Sequence, residues 1–248
     1  MLLILPPSET KRDGGEPESR LALATLSFPE LTPARRATLA GLRELSRSVS
    51  ASMSALKLGA TQRDEIDRNR AVTRSPVLSA LDRYTGVLYD ALDVVSLEPP
   101  ARAWADDHVV VHSALFGLLR GADRIPAYRL SHDSRLPNGS LRAVWRAPIA
   151  SSLAASGRFV LDLRSEGYAA LGPAPEGSRY LRVVSEDSAG RRSALSHFNK
   201  KSKGEFTRAL AEAHPTIAGE SDLLRWAAGA GWRLEPGAPG ELDLVVTV

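Results

Sequence analysis

Three lysines lie close together between residues 197 and 206: Lys200, Lys201 and Lys203. The pattern predicts a helix over residues 202–213, so the lysines would lie where that helix begins. Ammonium groups beside the free N–H groups of a helix start attract anions, and phosphate is the commonest of these among biological ligands. The run therefore predicts a phosphate-binding site, although a solvated, lysine-rich helix start would have the same pattern.

A second set of polar side chains, Ser8, Thr10 and Lys11, follows the apolar run at residues 2–5. A continuous apolar run is typical of a buried strand, and ligands of open α/β sheets lie beyond the carboxyl ends of strands. The two hydroxyls and the lysine are therefore candidates for binding phosphate or a base edge. A serine-type turn that only closes the loop is the alternative.

Two carboxylates accompany another apolar run, at residues 159–163. Asp162 lies within this run and Glu166 follows it. A carboxylate at the end of a strand can act as an acid or base or bind a sugar hydroxyl, so both are catalytic candidates. Glu166 would equally suit the first turn of a helix, because a negative charge is favourable there.

Three further residues are candidates for contacts with nucleic acid. Tyr84 precedes a glycine turn and could stack on a base, whereas an aromatic residue in this position could also belong to the core. Arg120 and Arg129 have the planar guanidinium that suits phosphate. Carboxylate partners such as Asp123 would instead make these arginines part of surface ion pairs.

The sequence favours neither a metal nor another cofactor. The chain has no cysteine, which excludes disulfides, thiolate metal sites and thiol redox chemistry. His108 and His112 are four residues apart in a stretch predicted as a strand, so they would share a face. Two histidines without a third ligand are weak evidence for a metal site, and we expect none.

The charge of the chain is unevenly distributed although its net charge is only +3. The segment 191–208 has six basic residues and one acid, and the segment 118–146 has six arginines and two acids. Two basic segments in a mildly basic chain suggest a polyanion or a phosphorylated ligand as partner. Solvated faces rich in arginine are the alternative.

The location of the protein is predicted from what the sequence lacks. The apolar start at residues 1–5 is too short for a signal sequence, and no apolar stretch approaches the length of a membrane span. The absence of cysteine fits a reducing compartment. We therefore expect a cytoplasmic protein without a membrane partner.

The pattern of elements predicts an α/β class with a single domain over residues 1–248, because apolar strands alternate with helices and no linker or repeat interrupts them. Strands are predicted at 2–5, 109–111, 159–163, 181–184, 232–234 and 242–246, the last two as a hairpin. Helices are predicted from Thr32, at 77–84, 99–105 and 141–153 with a break near Pro148, and at 202–213 and 221–228.

Taken together, these motifs resemble the YaaA family of bacterial peroxide-stress proteins. The matching pieces occur in a shared order over nearly the whole chain: Pro7 to Lys11, Tyr84 to Gly86, Ser113 to Arg120, Pro126 to Leu130, Trp145, Leu161 to Tyr168 and Asn199 to Gly204. One departure is Gly167, an extra glycine between the acid and the tyrosine of the motif at 165–168.

The resemblance implies one α/β domain of unusual topology, with a mixed sheet and flanking helices. It also implies a positively charged cleft, DNA binding and protection against peroxide damage linked to intracellular iron. A helix–hairpin–helix that binds the DNA backbone would map near Gly59, where the sequence matches that motif poorly and favours a plain helix pair.

Three hypotheses of function follow. In the first, the protein binds DNA through Lys200, Lys201, Lys203, Arg120 and Arg129. In the second, it is an enzyme acting on a nucleotide or nucleobase, for example on an N-glycosidic bond, with Glu166 or Asp162 at the sugar. In the third, it is a stress-linked interaction protein without catalysis, and its oligomeric state stays open.

Overall fold

The computed structural model describes residues 1–186, 192–194 and 198–246. Within these residues one sheet contains eight strands: β1 (Leu2–Leu5), β3 (Val109–Ser113), β4 (Gly117–Arg120), β8 (Val160–Asp162), β9 (Arg179–Glu186), β10 (Arg192–Ala194), β11 (Leu234–Pro236) and β12 (Glu241–Val246). Two short pairs lie apart from it: β2 (Leu78–Ser79) with β5 (Arg124–Ile125), and β6 (Arg135–Leu136) with β7 (Gly139–Ser140).

The strand order is β11-β12-β9-β8-β1-β3-β4, and β10 pairs with β9 beside this path. Strands β12, β9, β8, β1 and β3 are mutually parallel, whereas β4, β10 and β11 are antiparallel to their neighbours. The first strand therefore lies between β8 and β3. The carboxyl ends of β1 and β8 consequently meet at one edge of the sheet, where a crevice for ligands is expected.

Ten helices are present in the described residues: α1 (Thr32–Leu45), α2 (Val49–Ala55), α3 (Asp64–Ala71), α4 (Ala80–Arg83), α5 (Val87–Leu92), α6 (Pro99–His108), α7 (Leu141–Ala155), α8 (Glu166–Ala169), α9 (Phe198–Ala213) and α10 (Glu220–Gly229). None of them is both long and apolar enough to cross a membrane.

The sequence-based prediction of an α/β class with a mixed sheet and flanking helices is confirmed. The apolar runs at residues 2–5 and 109–111 are strands because both are completely buried between layers of helices. Continuous apolar runs of this kind are expected in parallel sheets that are covered on both faces. Buried apolar residues from the whole chain join one hydrophobic cluster.

Several element boundaries differ from the prediction. Helix α7 continues through Pro148, and residues 77–84 form strand β2 and one helical turn instead of one helix. Thr32 is the first residue of α1, and Leu31 holds the N-cap position. Strand β4 was not predicted, because the apolar run at 114–119 has no alternation to distinguish strand from buried loop.

The most consequential difference concerns helix α9. It begins at Phe198, four residues before the predicted start, so all three lysines lie inside the helix. Lys200 is in the first turn and Lys203 is in the second. Their directions are therefore set by the helical repeat of 3.6 residues and not by a loop.

Candidate functional site

A cleft of about 830 Å³ opens at the carboxyl ends of β1 and β8. Its walls come from the loop after β1, the turn before α5 with the start of α5, the segment 130–132, the loop after β8 with α8, Tyr180 of β9 and the first turns of α9. Among the predicted site residues, five line it: Ser8, Thr10, Glu166, Lys200 and Lys203.

The loop after β1 presents two hydroxyls at the cleft. Ser8 Oγ and Thr10 Oγ1 lie 3.1 Å apart, and the Thr10 hydroxyl donates to the Thr85 carbonyl at 3.3 Å. Gly86 has φ +97°, and a Cβ there would lie 3.3 Å from both hydroxyl oxygens. A glycine is therefore needed for both the backbone conformation and the space. This explains why the motif at residues 84–86 ends in glycine.

Lys11 lies beneath this loop instead of in the cleft. Its Nζ donates to the carbonyls of Ser8 at 2.9 Å and Glu9 at 3.3 Å, and it lies 4.2 Å from the centre of the Tyr128 ring. Burial lowers the pKa of Lys11 from 10.5 to about 7. Its role in this structure is to hold the loop, which differs from the phosphate contact that the sequence suggested.

Helix α9 directs two of its three lysines to the cleft. Residues three apart lie on one helix face, so Lys200 and Lys203 both line the cleft. Lys201 points elsewhere, with more than half of its side chain exposed, and pairs with Glu205 at 3.3 Å. The predicted contact of Lys201 with the same ligand is therefore not supported. His197 lies outside the described residues.

The two cleft lysines differ in their surroundings. Lys200 is exposed, and within the described part of the chain its ammonium group has no ion-pair partner. Lys203 is buried, and its Nζ donates to the Leu163 carbonyl at 2.9 Å. Burial lowers the pKa of Lys203 from 10.5 to about 8, and the Asp162 carboxylate opposes part of this decrease.

Two exposed carboxylates line the cleft, those of Glu9 and Glu166, and Glu9 is paired with Arg129. Glu166 is the first residue of α8, and among the described residues its side chain has no hydrogen-bond partner. Its neighbour Gly167 allows a close contact, because a Cβ there would lie 2.5 Å from the His132 ring. The glycine that departs from the family motif therefore has a packing role, which brings His132 to the cleft wall.

Asp162 does not have the free carboxylate that a catalytic role would require. Arg164 donates to one oxygen at 2.8 Å and to the other at 2.6 Å, and its backbone N–H adds a bond of 3.0 Å. Arg164 is completely buried and also contacts His112 Nδ1 at 2.8 Å. The pair is an internal support of the β8 end, and this geometry does not support the catalytic role predicted for Asp162.

Tyr84 is part of the core beneath the cleft. Its side chain is 2% exposed and its hydroxyl lies 2.8 Å from that of Tyr128, which in turn lies 2.7 Å from Ser113 Oγ. The Ser113 hydroxyl also accepts from the N–H groups of Leu115 and Phe116. Because the Tyr84 ring is covered, the predicted stacking on a base is not available in this structure.

The two predicted arginines are also placed outside the cleft. Arg129 is buried behind the wall, where it pairs with Glu9 and orients that acid. Arg120 lies opposite Val110, near the amino end of β3, and pairs with Asp107 at 2.9 Å. The amino ends of parallel strands lie at the sheet edge opposite the cleft. Arg120 therefore does not join the same site.

Most other cleft residues were not among the predicted site residues, and three of them have polar groups beside the lysines or Glu166: Tyr180, His132 and Asn199. The Tyr180 hydroxyl donates to the Arg164 carbonyl at 2.8 Å, and its ring faces Lys203 Nζ at 5.7 Å from the centroid. Asn199 precedes the lysines directly, so its proximity was visible in the sequence. Nothing in the sequence distinguishes Tyr180 from an ordinary strand residue.

The two histidines considered for a metal have separate roles. His108 is the last residue of α6 and stacks on Trp104 with ring centres 4.1 Å apart, so it is not part of the strand. His112 is buried beside Arg164, and burial lowers its pKa well below the ordinary value. No group of three or more metal-binding side chains occurs in the residues the structure describes.

The hairpin near Gly59 joins α2 and α3. The Gly59 N–H donates to the Gln62 side chain at 2.9 Å, and the Leu58 N–H donates to the Met53 carbonyl at 2.9 Å. These two amides are therefore already engaged within the hairpin. A helix–hairpin–helix that binds DNA needs such N–H groups for phosphate, so the arrangement favours a plain helix pair.

Comparisons with known proteins agree with this arrangement of motifs. A family model described as peroxide stress protein YaaA matches residues 1–237. A UPF0246 protein of Corynebacterium glutamicum is 40% identical over 253 residues, covering 99% of this chain and 100% of the relative. Another from Streptomyces coelicolor is 39% identical over 246 residues, covering 97% and 94% respectively. The chain belongs to the YaaA family of peroxide stress proteins.

Proposed function

We propose that this protein binds DNA in the peroxide stress response and that the cleft holds an unpaired nucleotide of that DNA. The observation that supports the proposal is the convergence of Ser8, Glu166, Lys200 and Lys203 on one cleft of about 830 Å³. This volume is typical of sites for small molecules. It suits one nucleotide unit better than the width of a duplex.

The charges of the cleft suit a single phosphate followed by a sugar. Lys200 is exposed and without an acidic partner in the described residues, so its charge is available for phosphate. Glu166 is an acceptor for a sugar hydroxyl or for the N–H groups of a base edge. The Ser8 hydroxyl adds a donor that suits a phosphate oxygen, whereas the Thr10 hydroxyl already donates to the Thr85 carbonyl.

The surroundings of the cleft argue against an extended duplex track. The arginines that would widen the basic surface are paired with acids: Arg120 with Asp107, and Arg129 with Glu9. A protein that contacts few phosphates has a shallow dependence of affinity on salt. We therefore expect DNA with unpaired bases to bind more tightly than a perfect duplex of equal length.

Fluorescence anisotropy with labelled bubble DNA and matched duplex DNA at two salt concentrations tests the proposal. Lys200→Ala should weaken binding to the bubble and reduce the slope of log K against log salt by about 0.7, the value for one phosphate of a single strand. Lys201→Ala is the matched control, because Lys201 is paired and lies outside the cleft. Equal losses in both variants, or no binding of either DNA, would refute the proposal.

A second candidate function is an enzyme that acts on a nucleotide or nucleobase, with Glu166 at the sugar. The observation that favours it is the exposed Glu166 carboxylate beyond the ends of parallel strands. A screen of nucleotides and oligonucleotides for base release tests this candidate. We expect the wild type to release a free base and the Glu166→Gln variant to release none. If the wild type leaves every substrate unchanged, this candidate function is refuted.

A further inference from the structure

Lys203 differs from every other lysine of the described chain in combining burial with a position on the cleft wall. Its side chain is 5% exposed, yet it lines the cleft. Its Nζ donates to one backbone carbonyl, that of Leu163, and lies over the Tyr180 ring. Within the described residues no carboxylate oxygen is within ion-pair distance of it. An amine in this position is not used to neutralise an acid.

The surroundings also favour the uncharged form of this amine. Desolvation lowers the pKa of Lys203 to about 8, so about a tenth of the amine is uncharged at pH 7 and about half at pH 8. An uncharged lysine amine in a partly apolar pocket is a nucleophile for carbonyl carbons. The Leu163 carbonyl and the Tyr180 ring leave the nitrogen lone pair free for attack, because neither of them donates a hydrogen bond to it.

We propose that Lys203 forms an imine with the aldehyde carbon of a phosphorylated, open-chain sugar, such as the deoxyribose of an abasic nucleotide. This inference deepens the proposed function and rests on it, since it assigns the chemical class of the unit that the cleft holds. Lys200 would bind the phosphate. Residues three apart on a helix have Cβ atoms about 5–6 Å apart, so a sugar attached to that phosphate lies beside Lys203.

Imine formation by Lys203 releases one water molecule and needs only proton transfers within the cleft. The Nζ lone pair attacks the aldehyde carbon, and the C=O π electrons move to the oxygen, which takes a proton. Loss of this oxygen as water, with a proton from the nitrogen, leaves the C=N bond. Glu166 lines the same cleft, and its exposed carboxylate, which has no cation partner among the described residues, can carry these protons. No oxidant or reductant is consumed.

The imine step requires an abasic sugar and not an intact nucleoside. An aldehyde requires the ring-opened sugar, and this form exists only where the base has been lost. The Ser8 and Thr10 hydroxyls line the same cleft as the lysines and suit the phosphate and hydroxyl groups of such a sugar. A free pentose phosphate has the same aldehyde, so the experiment must distinguish the two sources.

Borohydride trapping of the purified full-length protein tests the inference, because borohydride reduces an imine to a stable secondary amine. One arm uses an oligonucleotide with a single abasic site and the other uses 2-deoxyribose 5-phosphate. We expect a covalent adduct that peptide mass spectrometry locates on Lys203. An adduct with the oligonucleotide alone identifies DNA as the source, and an adduct with both probes identifies the free sugar phosphate as a ligand too.

Absence of an adduct with both probes, or an adduct on another lysine, would overturn the inference. Lys203→Arg should lose trapping at least tenfold, whereas Lys201→Arg should trap like the wild type. Because the wild-type adduct is mapped directly, the conclusion does not depend on the folding of a variant. Bubble-DNA binding measured without borohydride separates the two claims: binding without trapping refutes the imine alone, and no binding refutes the proposed function.

Discussion

The Arg164–Asp162 pair shows at the scale of single residues why an acid at a strand end is not by itself catalytic. Both Asp162 oxygens accept from Arg164, which is completely buried. Such a pair is sensitive to the loss of one partner, because the other charge then remains buried and unpaired. Its contribution is therefore to stability and to the position of the loop after β8.

Arg164→Met should reduce the free energy of unfolding by about 3–5 kcal/mol, the usual cost of leaving a buried charge unpaired. Urea denaturation at neutral pH measures this change. Arg225→Met is the matched control, because Arg225 is paired with Asp222 at the surface with 76% of its side chain exposed. We expect no measurable change in the control. A small loss in both variants would show that Asp162 is solvated in the native protein.

Because Lys11 is buried, we expect the free energy of unfolding to depend on pH. Its pKa is lowered to about 7 by burial, whereas in the unfolded chain it is near 10.4. Between these values the unfolded chain binds more protons than the folded one, so the free energy of unfolding rises with pH. Below pH 7 both states are protonated and this contribution is flat.

The stability of the wild type relative to Lys11→Met should therefore increase as the pH rises from 7 to 10. Denaturation series at several pH values measure the difference, and other groups that titrate in this range cancel because both proteins contain them. Lys57→Met, at a side chain that is 70% exposed, should track the wild type throughout. A constant difference between the wild type and Lys11→Met would mean that Lys11 remains charged in the folded state.

Sequence reasoning at this scale identified Ser8, Thr10, Glu166, Lys200 and Lys203 as cleft residues because each follows a recognisable strand end or lies in the lysine run. It misplaced Tyr84 and Lys11, since burial depends on what other segments place above a residue. Pairing of Arg120 and Arg129 with acids was one of the alternatives, but the acids that pair with them were not predicted. Their partners, Asp107 and Glu9, are distant in sequence.

At the scale of elements, the contact between α5 and α9 positions both walls of the cleft. Gly204 lies on α9 where a Cβ would be 2.2 Å from the Leu88 carbonyl and 2.8 Å from Ala91 Cβ. Only glycine permits this approach of the two helices. The glycine after Lys203 is therefore a packing residue, and it fixes the depth of Lys203 below the surface.

Gly204→Ala should destabilise the protein by about 1–3 kcal/mol, the usual cost of overpacking, and should weaken DNA binding because α9 moves away from α5. Gly229→Ala at the end of α10 is the control, since a Cβ there meets nothing within 4 Å. We expect the control to be neutral or more stable by about 0.5–1 kcal/mol. Thermal unfolding compares the two, and equal stability would contradict the close helix contact.

The elements themselves were predictable where the apolar pattern was continuous. Strands β1 and β3 lie at the predicted positions. The predicted closing hairpin is also present, but β11 covers 234–236 instead of 232–234. The start of α9 was not predictable, because residues 198–201 lack an apolar period that would distinguish helix from loop. This error mattered most for function, since the helix start decides that Lys200 and Lys203 share a face and Lys201 does not.

At the scale of the whole molecule, the parallel strands bring together segments that are distant in sequence. The loops after β1 and β8 and the start of α9 meet at one sheet edge. Three of the six arginines at 118–146 pair with acids from other segments: Arg120 with Asp107, Arg124 with Glu16 and Arg129 with Glu9. The net charge counted for this segment in the sequence therefore overstated how basic the surface is. Position relative to strand ends was the better guide to the site.

The central claim is that DNA contacts this cleft, and photo-crosslinking tests it most directly. A bubble oligonucleotide with a photoreactive base in the unpaired region is crosslinked to the wild-type protein, and the linked peptides are identified by mass spectrometry. We predict crosslinks within residues 6–10, 165–168 and 199–203, which are lost when unlabelled bubble DNA competes. Crosslinks confined to the hairpin at 56–63 or to the β4 edge would contradict the account.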